Sequence, residues 1–152
     1  MLDLRICVLG NITVTAINSL SDEQIRNIGT SAAKVSYIRA LTNAIVSDAI
    51  NLTELPRLDD REIIKTLTSV KGIGNWTAKM YLIFVLNRQD VLPTEDVAFL
   101  QAYEWLYKTT DRPPASIKNK CKKWKPYSSI ASRYLYRTLD CGLEKTEFHL
   151  YK

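Results

Sequence analysis

Apolar residues recur at helical spacing along most of the chain. From Ser31 to Ala49 they form one stripe at three- and four-residue steps, made of Val35, Ile38, Leu41 and Ile45. This stripe predicts an amphipathic helix that packs through one face. Ahead of it, Ser21 precedes two acids and Gly29 ends the segment, which predicts a short helix with a capped start.

The middle of the chain predicts a buried central helix. A helix that opens with acids from Asp59 onward and runs to about Thr68 is followed by a short glycine turn, Val70–Gly74. Asn75 to Asn87 is then apolar nearly all round, which is typical of a helix buried on most sides. With 152 residues and a turn too short to link domains, the chain is expected to form a single domain over residues 1–152.

Three more helices are expected in the second half of the chain. The first begins after Pro93 with Thr94 as its N-cap and runs to about Lys108. A basic helix occupies about Ala115 to Lys123, and the last helix ends at Gly142. The buried face of that last helix is predicted to consist of Tyr127, Ile130, Ala131, Tyr134, Leu135 and Thr138. The fold class is therefore all-α, a compact orthogonal helical bundle with short connections.

The distribution of charge adds a candidate surface to this picture. The net charge is +5, and eight of the 21 basic residues but none of the 16 acidic ones lie between Arg112 and Leu139. Such a segment is compatible with a solvated face or with a surface for a polyanion. Aromatic residues interleave with the bases and favour the polyanion. They are Trp124, Tyr127, Tyr134 and Tyr136.

Several classes of protein are disfavoured by the composition. No apolar run approaches the roughly 18 residues that cross a bilayer, and Asp3 and Arg5 interrupt any signal peptide. The three cysteines, Cys7, Cys121 and Cys141, have no C-x-x-C spacing and indicate neither a disulfide framework nor a zinc site. We therefore expect a soluble intracellular protein without a membrane partner, cytoplasmic or nucleoid-associated, or nuclear in a eukaryote.

Three stretches carry a resemblance to a known family. They are VKGIGNWTAKMYLIF (Val70–Phe84), RQDVLPTEDVAF (Arg88–Phe99) and KWKPYSSIASRYLYR (Lys123–Arg137). Together with their spacing, they make Ser21 to Asp140 resemble the helix-hairpin-helix superfamily of base-excision DNA glycosylases. The resemblance is greatest to the DNA-3-methyladenine glycosylase II branch, of which the third stretch is characteristic.

The resemblance implies that Asp96 is the catalytic carboxylate, because the family places an aspartate directly before the apolar run that here starts at Val97. The helix from Asn75 would be about 20 Å long. The next eight residues can span roughly 26 Å, so the chain can return and bring Asp96 beside Trp76. Asp96 is also suited to cap a helix, and the two roles are compatible. Glu95 is the neighbouring acid, which the family motif favours less.

The base pocket is expected at Trp76, Met80, Val97 and Tyr136. Trp76 opens the central helix, where its ring can hold a cationic base by stacking or can anchor the core under the hairpin. The other three positions align with aromatic pocket residues of this branch, of which only Tyr136 is aromatic here. Relatives that also cut the DNA backbone place a lysine nucleophile at the position of Trp76. The resemblance therefore implies a monofunctional glycosylase.

DNA backbone contacts are expected at the turn between the two central helices. A helix, the Val70–Gly74 turn and a second helix form the layout of a helix-hairpin-helix, in which glycines let a phosphate approach free N–H groups. The residues expected to contact the backbone are Gly72, Gly74, Thr77 and Lys71. An ordinary glycine turn between packed helices is the alternative.

The family also binds a monovalent cation through carbonyl groups of the hairpin. In this sequence these are the carbonyls of Thr68, Val70 and Ile73, and the ion would be K⁺ or Na⁺. The family's cysteine motif for an iron–sulfur cluster is missing from the sequence. We therefore expect no required cofactor beyond a structural ion.

The resemblance implies a monofunctional DNA glycosylase that hydrolyses the N-glycosidic bond of alkylated purines such as 3-methyladenine in duplex DNA. It would act as a monomer in the base excision repair of alkylation damage. The alternatives are a non-catalytic helix-hairpin-helix DNA-binding module or inactive fragment, and a helical protein whose basic face binds acidic partners. Family members carry further helices ahead of the segment that matches Ser21, of which Met1 to Leu9 would match only an end. The N-terminal helices of the family are thus expected to be missing.

Overall fold

The computed structural model describes residues 12–146, and all regular structure in this range is helical. Its α-helices are α1 Val14–Ser19, α2 Asp22–Asn27, α3 Ala32–Val46, α4 Asp60–Thr68, α5 Asn75–Met80, α6 Val97–Tyr107, α7 Pro114–Lys120 and α8 Ser128–Asp140. Short 3₁₀ turns lie at Leu55–Arg57, Cys121–Trp124 and Leu143–Lys145, and a π-helical turn occupies Tyr81–Val85. The all-α fold class is confirmed for these residues. The expectation for Met1 to Leu9 lies outside the described range.

The described residues divide into two compact units, and the division falls between Gly74 and Asn75. In the first unit, α1 and α2 both pack on α3. The buried apolar residues of this unit are Ile25, Val35, Ile50, Leu55, Ile63, Leu67 and Val70. The assignment of residues 1–152 to one domain stays a prediction.

Local capping determines where two helices of the first unit begin. The Ser21 hydroxyl accepts the N–H of Gln24 at 3.1 Å, and the Gln24 side chain accepts the N–H of Ser21. Asp59 and Glu62 form the same reciprocal pair at the start of α4. Each pair satisfies two N–H groups that a helix start leaves free. The predicted starts of α2 and α4 are thereby confirmed.

Helix α3 ends three residues earlier than the predicted Ala49. Its last residue is Val46, and Asp48 adopts a left-handed conformation with φ of 57°. The N–H of Ile50 then returns to the carbonyl of Ala44 at 3.0 Å. This bond closes the helix end, since it satisfies a carbonyl that the last turn would leave free.

The second unit begins with α5, which continues into the π-helical turn. The prediction that this segment is buried on most sides is wrong. Ala78, Leu82 and Ile83 are buried, but Phe84 and Val85 are 53% and 64% exposed. The reason is geometric, because the N–H of Leu86 bonds to the carbonyl of Tyr81, five residues back. The wider winding turns the end of the segment away from its packed face.

Helix α6 begins at Val97, and its N-cap is Asp96 rather than the predicted Thr94. The Asp96 carboxylate accepts the N–H of Phe99 at 2.7 Å, so it satisfies a free donor of the first turn. Thr94 lies in the preceding turn and is buried. The core of this unit consists of Phe99, Ala102, Tyr103, Ile117, Cys121 and Leu135.

The basic helix α7 ends at Lys120, and the predicted remainder to Lys123 belongs to the 3₁₀ turn that follows. Helix α8 packs on α6, and of the six residues predicted for its buried face only Leu135 is fully buried. Its buried residues are Ser128, Ser129, Ser132 and Leu135, whereas Tyr127, Ile130 and Tyr134 are exposed.

The serine hydroxyls of α8 are hydrogen-bonded inside the protein, which explains why these polar residues can be buried. Ser128 donates to the carboxylate of Asp90, and Ser132 donates to the carbonyl of Ser128 at 2.8 Å. The Ser129 hydroxyl accepts the N–H of Val91 at 2.9 Å. Buried hydroxyl groups are tolerated when they are hydrogen-bonded in this way. Within the described range no helix is long and apolar enough to cross a membrane.

Candidate active site

The centre of the candidate site is a contact between Trp76 and Asp96, both in the second unit. Trp76 lies in the first turn of α5, and Asp96 caps α6. The indole Nε1–H of Trp76 donates a hydrogen bond to Oδ2 of Asp96. The loop between the helices thus returns the chain as its length allows, and the carboxylate lies beside the indole as the sequence predicts.

Asp96 is held on both of its oxygens. While Oδ2 accepts from Trp76, Oδ1 accepts the backbone N–H of Phe99 at 2.7 Å. The residue is 7% exposed and lies at the positive end of the α6 dipole. The capping role of Asp96 is therefore observed, and it leaves the carboxylate fixed in orientation next to Trp76.

Tyr136 of α8 and Met80 of α5 complete the group around the carboxylate. The Tyr136 hydroxyl lies 3.9 Å from the Met80 sulfur, to which it donates. Burial raises the pKa of the Tyr136 phenol, and the charge of Asp96 and a hydrogen bond to it act in the same direction. The phenol is thus a neutral group beside a carboxylate at physiological pH.

Three of the four predicted pocket residues, Trp76, Met80 and Tyr136, lie together around Asp96. The fourth, Val97, is more exposed than these three. Trp76 is 50% exposed, so its ring is open to a ligand and is not a buried anchor of the core. Val97, the first residue of α6, is 75% exposed. Its assignment to the pocket stays a prediction.

The two adjacent acids of the loop have different partners. Glu95 is bound by the ammonium group of Lys79, with Nζ 2.8 and 2.7 Å from Oε1 and Oε2. Asp96 instead faces the indole of Trp76. The geometry therefore favours Asp96 over Glu95 as the catalytic acid, as the sequence does, because the charge of Glu95 is balanced by a cation.

Phe84 and Arg133 lie beside this group and were not predicted as site residues. The Phe84 ring centroid is 6.0 Å from that of Tyr136, and the Arg133 guanidinium carbon lies 5.4 Å from the Phe84 ring. Arg133 also donates to the carbonyl of Ile83 and to Oδ1 of Asn87. The four-residue spacing between Met80 and Phe84 could have placed Phe84 beside Met80, whereas no local spacing could have placed Arg133 there.

The two glycines predicted to contact the DNA backbone have different surroundings. Gly72 has φ of +91°, and a Cβ built on it would lie 2.1 Å from Cγ of Tyr37. Gly74 has no atom within 4 Å of the same position. Gly72 is thus required by the fold of the first unit, while Gly74 borders open space. Lys71 and Thr77 are both exposed.

The donor set proposed for the monovalent cation consists of the backbone carbonyl of Thr68, the last residue of α4, and those of Val70 and Ile73 in the turn. The Val70 carbonyl accepts the N–H of Ile73 at 3.1 Å and keeps a second lone pair. Carbonyl oxygens are ligands that suit a hard cation. The carbonyls of Thr68, Val70 and Ile73 are chemically suited to such an ion, and its binding stays a prediction.

Seven of the eight cations of the basic segment are exposed, and two of these seven also contact a carboxylate. Arg112 binds Glu104 at 2.5 Å, and Lys125 lies 3.4 Å from Asp90. The remaining basic side chains of the segment, apart from Arg133, are exposed. They are Lys118, Lys120, Lys122, Lys123 and Arg137.

Residues 4–126 match the family described as the HhH-GPD superfamily base excision DNA repair protein. A curated relative, DNA-3-methyladenine glycosylase 1 of Schizosaccharomyces pombe, is 34% identical over 128 residues. That match covers 83% of this chain and 56% of the relative. The chain thus spans about half the length of the curated relatives it matches.

Two solved structures are similar to most of this chain. The 3-methyladenine DNA glycosylase of Schizosaccharomyces pombe, in complex with abasic DNA, has a TM-score of 0.80 and 33% identity. The match covers 90% of this chain and 68% of the chain in that structure. The DNA-3-methyladenine glycosidase of Bacillus halodurans has a TM-score of 0.78 and 32% identity, with 67% of its chain covered by 95% of this one.

Proposed function

Since the chain belongs to the HhH-GPD superfamily of base excision DNA repair proteins, we propose that it is a monofunctional DNA glycosylase for alkylated purines in duplex DNA. The observation that carries the proposal is the Asp96 carboxylate, fixed by Trp76 and by the start of α6. The names of its relatives support the class of substrate.

Asp96 would act on the sugar of the damaged nucleotide. As the bond between C1′ and the base nitrogen breaks, its electron pair leaves with the base and positive charge develops on the sugar. A fixed carboxylate stabilises this charge and orients the water that adds to C1′ and loses a proton. An alkylated purine that is already cationic leaves as a neutral base, so no second acid is needed.

The aromatic residues beside Asp96 are suited to a cationic base. The Trp76 ring is half exposed, and a cationic purine can stack on its face. An indole cannot form a Schiff base with the sugar, which supports hydrolysis without cleavage of the DNA backbone. Tyr136 would supply a second aromatic wall, and Met80 a polarisable contact.

Binding to the DNA backbone would come from the hairpin and the exposed cations. Gly74 borders open space, where a phosphate can approach the turn and the Lys71 ammonium, and Thr77 is exposed and is proposed as a further backbone contact. A monovalent ion at the carbonyls of Thr68, Val70 and Ile73 would supply positive charge to the same phosphate. Duplex DNA is thus the proposed partner, bound largely through sequence-independent contacts.

Substitution of the carboxylate tests the proposal directly. Single-turnover release of methylated purine from a treated duplex should fall at least about 100-fold in Asp96→Asn, because a preorganised electrostatic contact to the transition state is lost. The matched control is Asp140→Asn at the exposed end of α8, which should release base like the wild type.

Affinity for a duplex that contains an abasic-site analogue should be retained by both variants. Equal release by wild type and Asp96→Asn would contradict the role given to Asp96. Binding of the duplex by the wild type without any release would instead identify a non-catalytic helix-hairpin-helix module.

A further inference from the structure

Lys79 lies one turn after Trp76 on α5 and binds the loop that carries Asp96. Its ammonium group contacts both oxygens of Glu95 and the backbone carbonyl of Leu92, the latter at 3.2 Å. The Lys79 side chain is 15% exposed and that of Glu95 is 42% exposed, so the cation of this pair is largely buried while its carboxylate is partly open to water. An ion pair in such a place is held more rigidly than a pair at the open surface.

The contacts of Lys79 lie directly beside the contact between Trp76 and Asp96. Residues three apart on a helix share a face, so Trp76 and Lys79 present neighbouring groups. Trp76 contacts Asp96, while Lys79 contacts Glu95, the residue directly before it. Two side chains on one face of α5, those of Trp76 and Lys79, therefore hold two consecutive residues, Asp96 and Glu95.

Lys79 also holds the backbone of the turn that sets the direction of Asp96. The Leu92 carbonyl accepts the N–H of Thr94 at 3.1 Å in addition to the ammonium group. The N–H of Asp96 donates to Pro93 at 3.0 Å in the same turn. The ammonium is thus bound at both ends of a four-residue segment, and that segment leads directly into Asp96.

We propose that Lys79 is a positioning residue for Asp96, which acts by binding Glu95 and the Leu92 carbonyl. The inference rests on the proposed glycosylase function and assigns to that site a residue that does not touch the reacting atoms. Binding to Glu95 has a second effect, because it balances the charge of the neighbouring acid. The other acid of the pair, Asp96, accepts from two neutral donors, the Trp76 indole and the N–H of Phe99.

Base release by Lys79→Met tests the inference, because the variant keeps the length of the side chain and removes its charge. The single-turnover rate of release should fall about tenfold, since small displacements of a catalytic group are costly. Affinity for the abasic-site duplex should stay within about twofold. Lys79→Arg, which can still donate to Glu95 and Leu92, should restore most of the rate.

A second background separates positioning from general loss of structure. In Asp96→Asn, the residual rate of release should not change further when Lys79→Met is added, because Lys79 acts through the missing carboxylate. Arg57→Met, which breaks the exposed pair with Glu54, is the matched control and should leave the rate unchanged. Additive losses in the double variant would overturn the inference, as would a Lys79→Met rate equal to that of the wild type.

Solvent exchange of the Trp76 indole N–H gives a measurement that does not require activity. The signal is assigned by its disappearance in Trp76→Phe. Its exchange should accelerate in Lys79→Met and keep the wild-type rate in Lys79→Arg, because the bond to Asp96 depends on the position of the loop. If the wild type releases no base, the proposed function fails, and unchanged exchange in Lys79→Met would then overturn the inference by itself.

Discussion

At the scale of single residues, Asp96 uses its two carboxylate oxygens for two different contacts. One oxygen caps α6 through Phe99, and the other accepts from the Trp76 indole. A capping carboxylate is already held in one rotamer by the helix start. The entropy of ordering the group is therefore lost on folding, before any substrate binds.

Gly72 and Gly74 should respond to alanine in opposite ways. Gly72→Ala places a methyl group against Tyr37 at a φ of +91°, and should lower the free energy of unfolding by about 2 kcal/mol or more. Gly74→Ala meets open space and should change it by less than about 0.5 kcal/mol. Urea unfolding of both variants measures these differences.

The same pair tests the hairpin as a DNA contact. Gly74→Ala should weaken duplex binding in a folded protein, since the added methyl group faces the position of the approaching phosphate. Unchanged affinity in Gly74→Ala would support the alternative that Val70–Gly74 is an ordinary turn between helices.

At the scale of elements, the buried serine face of α8 predicts that Ser129 contributes more to stability than Ile130. The hydrophobic pattern of the sequence predicts the opposite order. Ser129→Ala leaves the buried N–H of Val91 without its partner and should cost about 1–3 kcal/mol. Ile130→Ala, on the neighbouring exposed position, should cost clearly less. Thermal or urea unfolding of the two variants decides between them, and a larger loss in Ile130→Ala would contradict the observed face.

The start of α8 also predicts a dependence of stability on pH. Burial opposes ionisation of Asp90, but the hydrogen bond from Ser128 and the charge of Lys125 outweigh it and lower the pKa of Asp90 from 3.8. The ionised carboxylate therefore stabilises the folded state above that pH, and this contribution is lost as the pH falls through the lowered pKa. Asp90→Asn should flatten the fall in unfolding midpoint between about pH 5 and pH 2. A slope equal to that of the wild type would show that this contact contributes nothing.

The elements differ in how far the sequence could predict them. The caps at Ser21 and Asp59 were predictable because a side chain and the N–H it accepts lie within three residues. The burial of Ser129 was not, since its partner Val91 is 38 residues away. Hydrophobic periodicity assigns serine to the surface and has no means of finding a distant backbone donor.

The site shows the same division between local and distant information. The approach of Asp96 to Trp76 followed from chain length together with the family resemblance. The contacts of Lys79 with Glu95 and Leu92 depend on the path of the intervening loop, which no short pattern encodes.

At the scale of the whole molecule, the exposed cations of the basic segment predict a steep dependence of DNA binding on salt. Lys118 and Lys122 are exposed, whereas Arg112 is paired with Glu104. Each lost phosphate contact lowers the slope of log K against log salt by about 0.9. Lys118→Ala/Lys122→Ala should therefore lower that slope by up to about 2, and Arg112→Ala should leave it nearly unchanged. A titration of duplex binding between low and moderate salt measures both, and equal slopes would place the DNA elsewhere.

The π-helical turn at Tyr81–Val85 has a consequence for evolution. A π turn contains one residue more than the α turn it replaces, so it is where this chain can lose a residue at the smallest cost. A deletion elsewhere in the segment would rotate every later side chain by about 100° around the helix axis. Alignments of related sequences should therefore open single-residue gaps within Tyr81–Val85. The path of the chain from this segment toward Asp96 therefore depends on the number of residues in the segment as well as on their side chains.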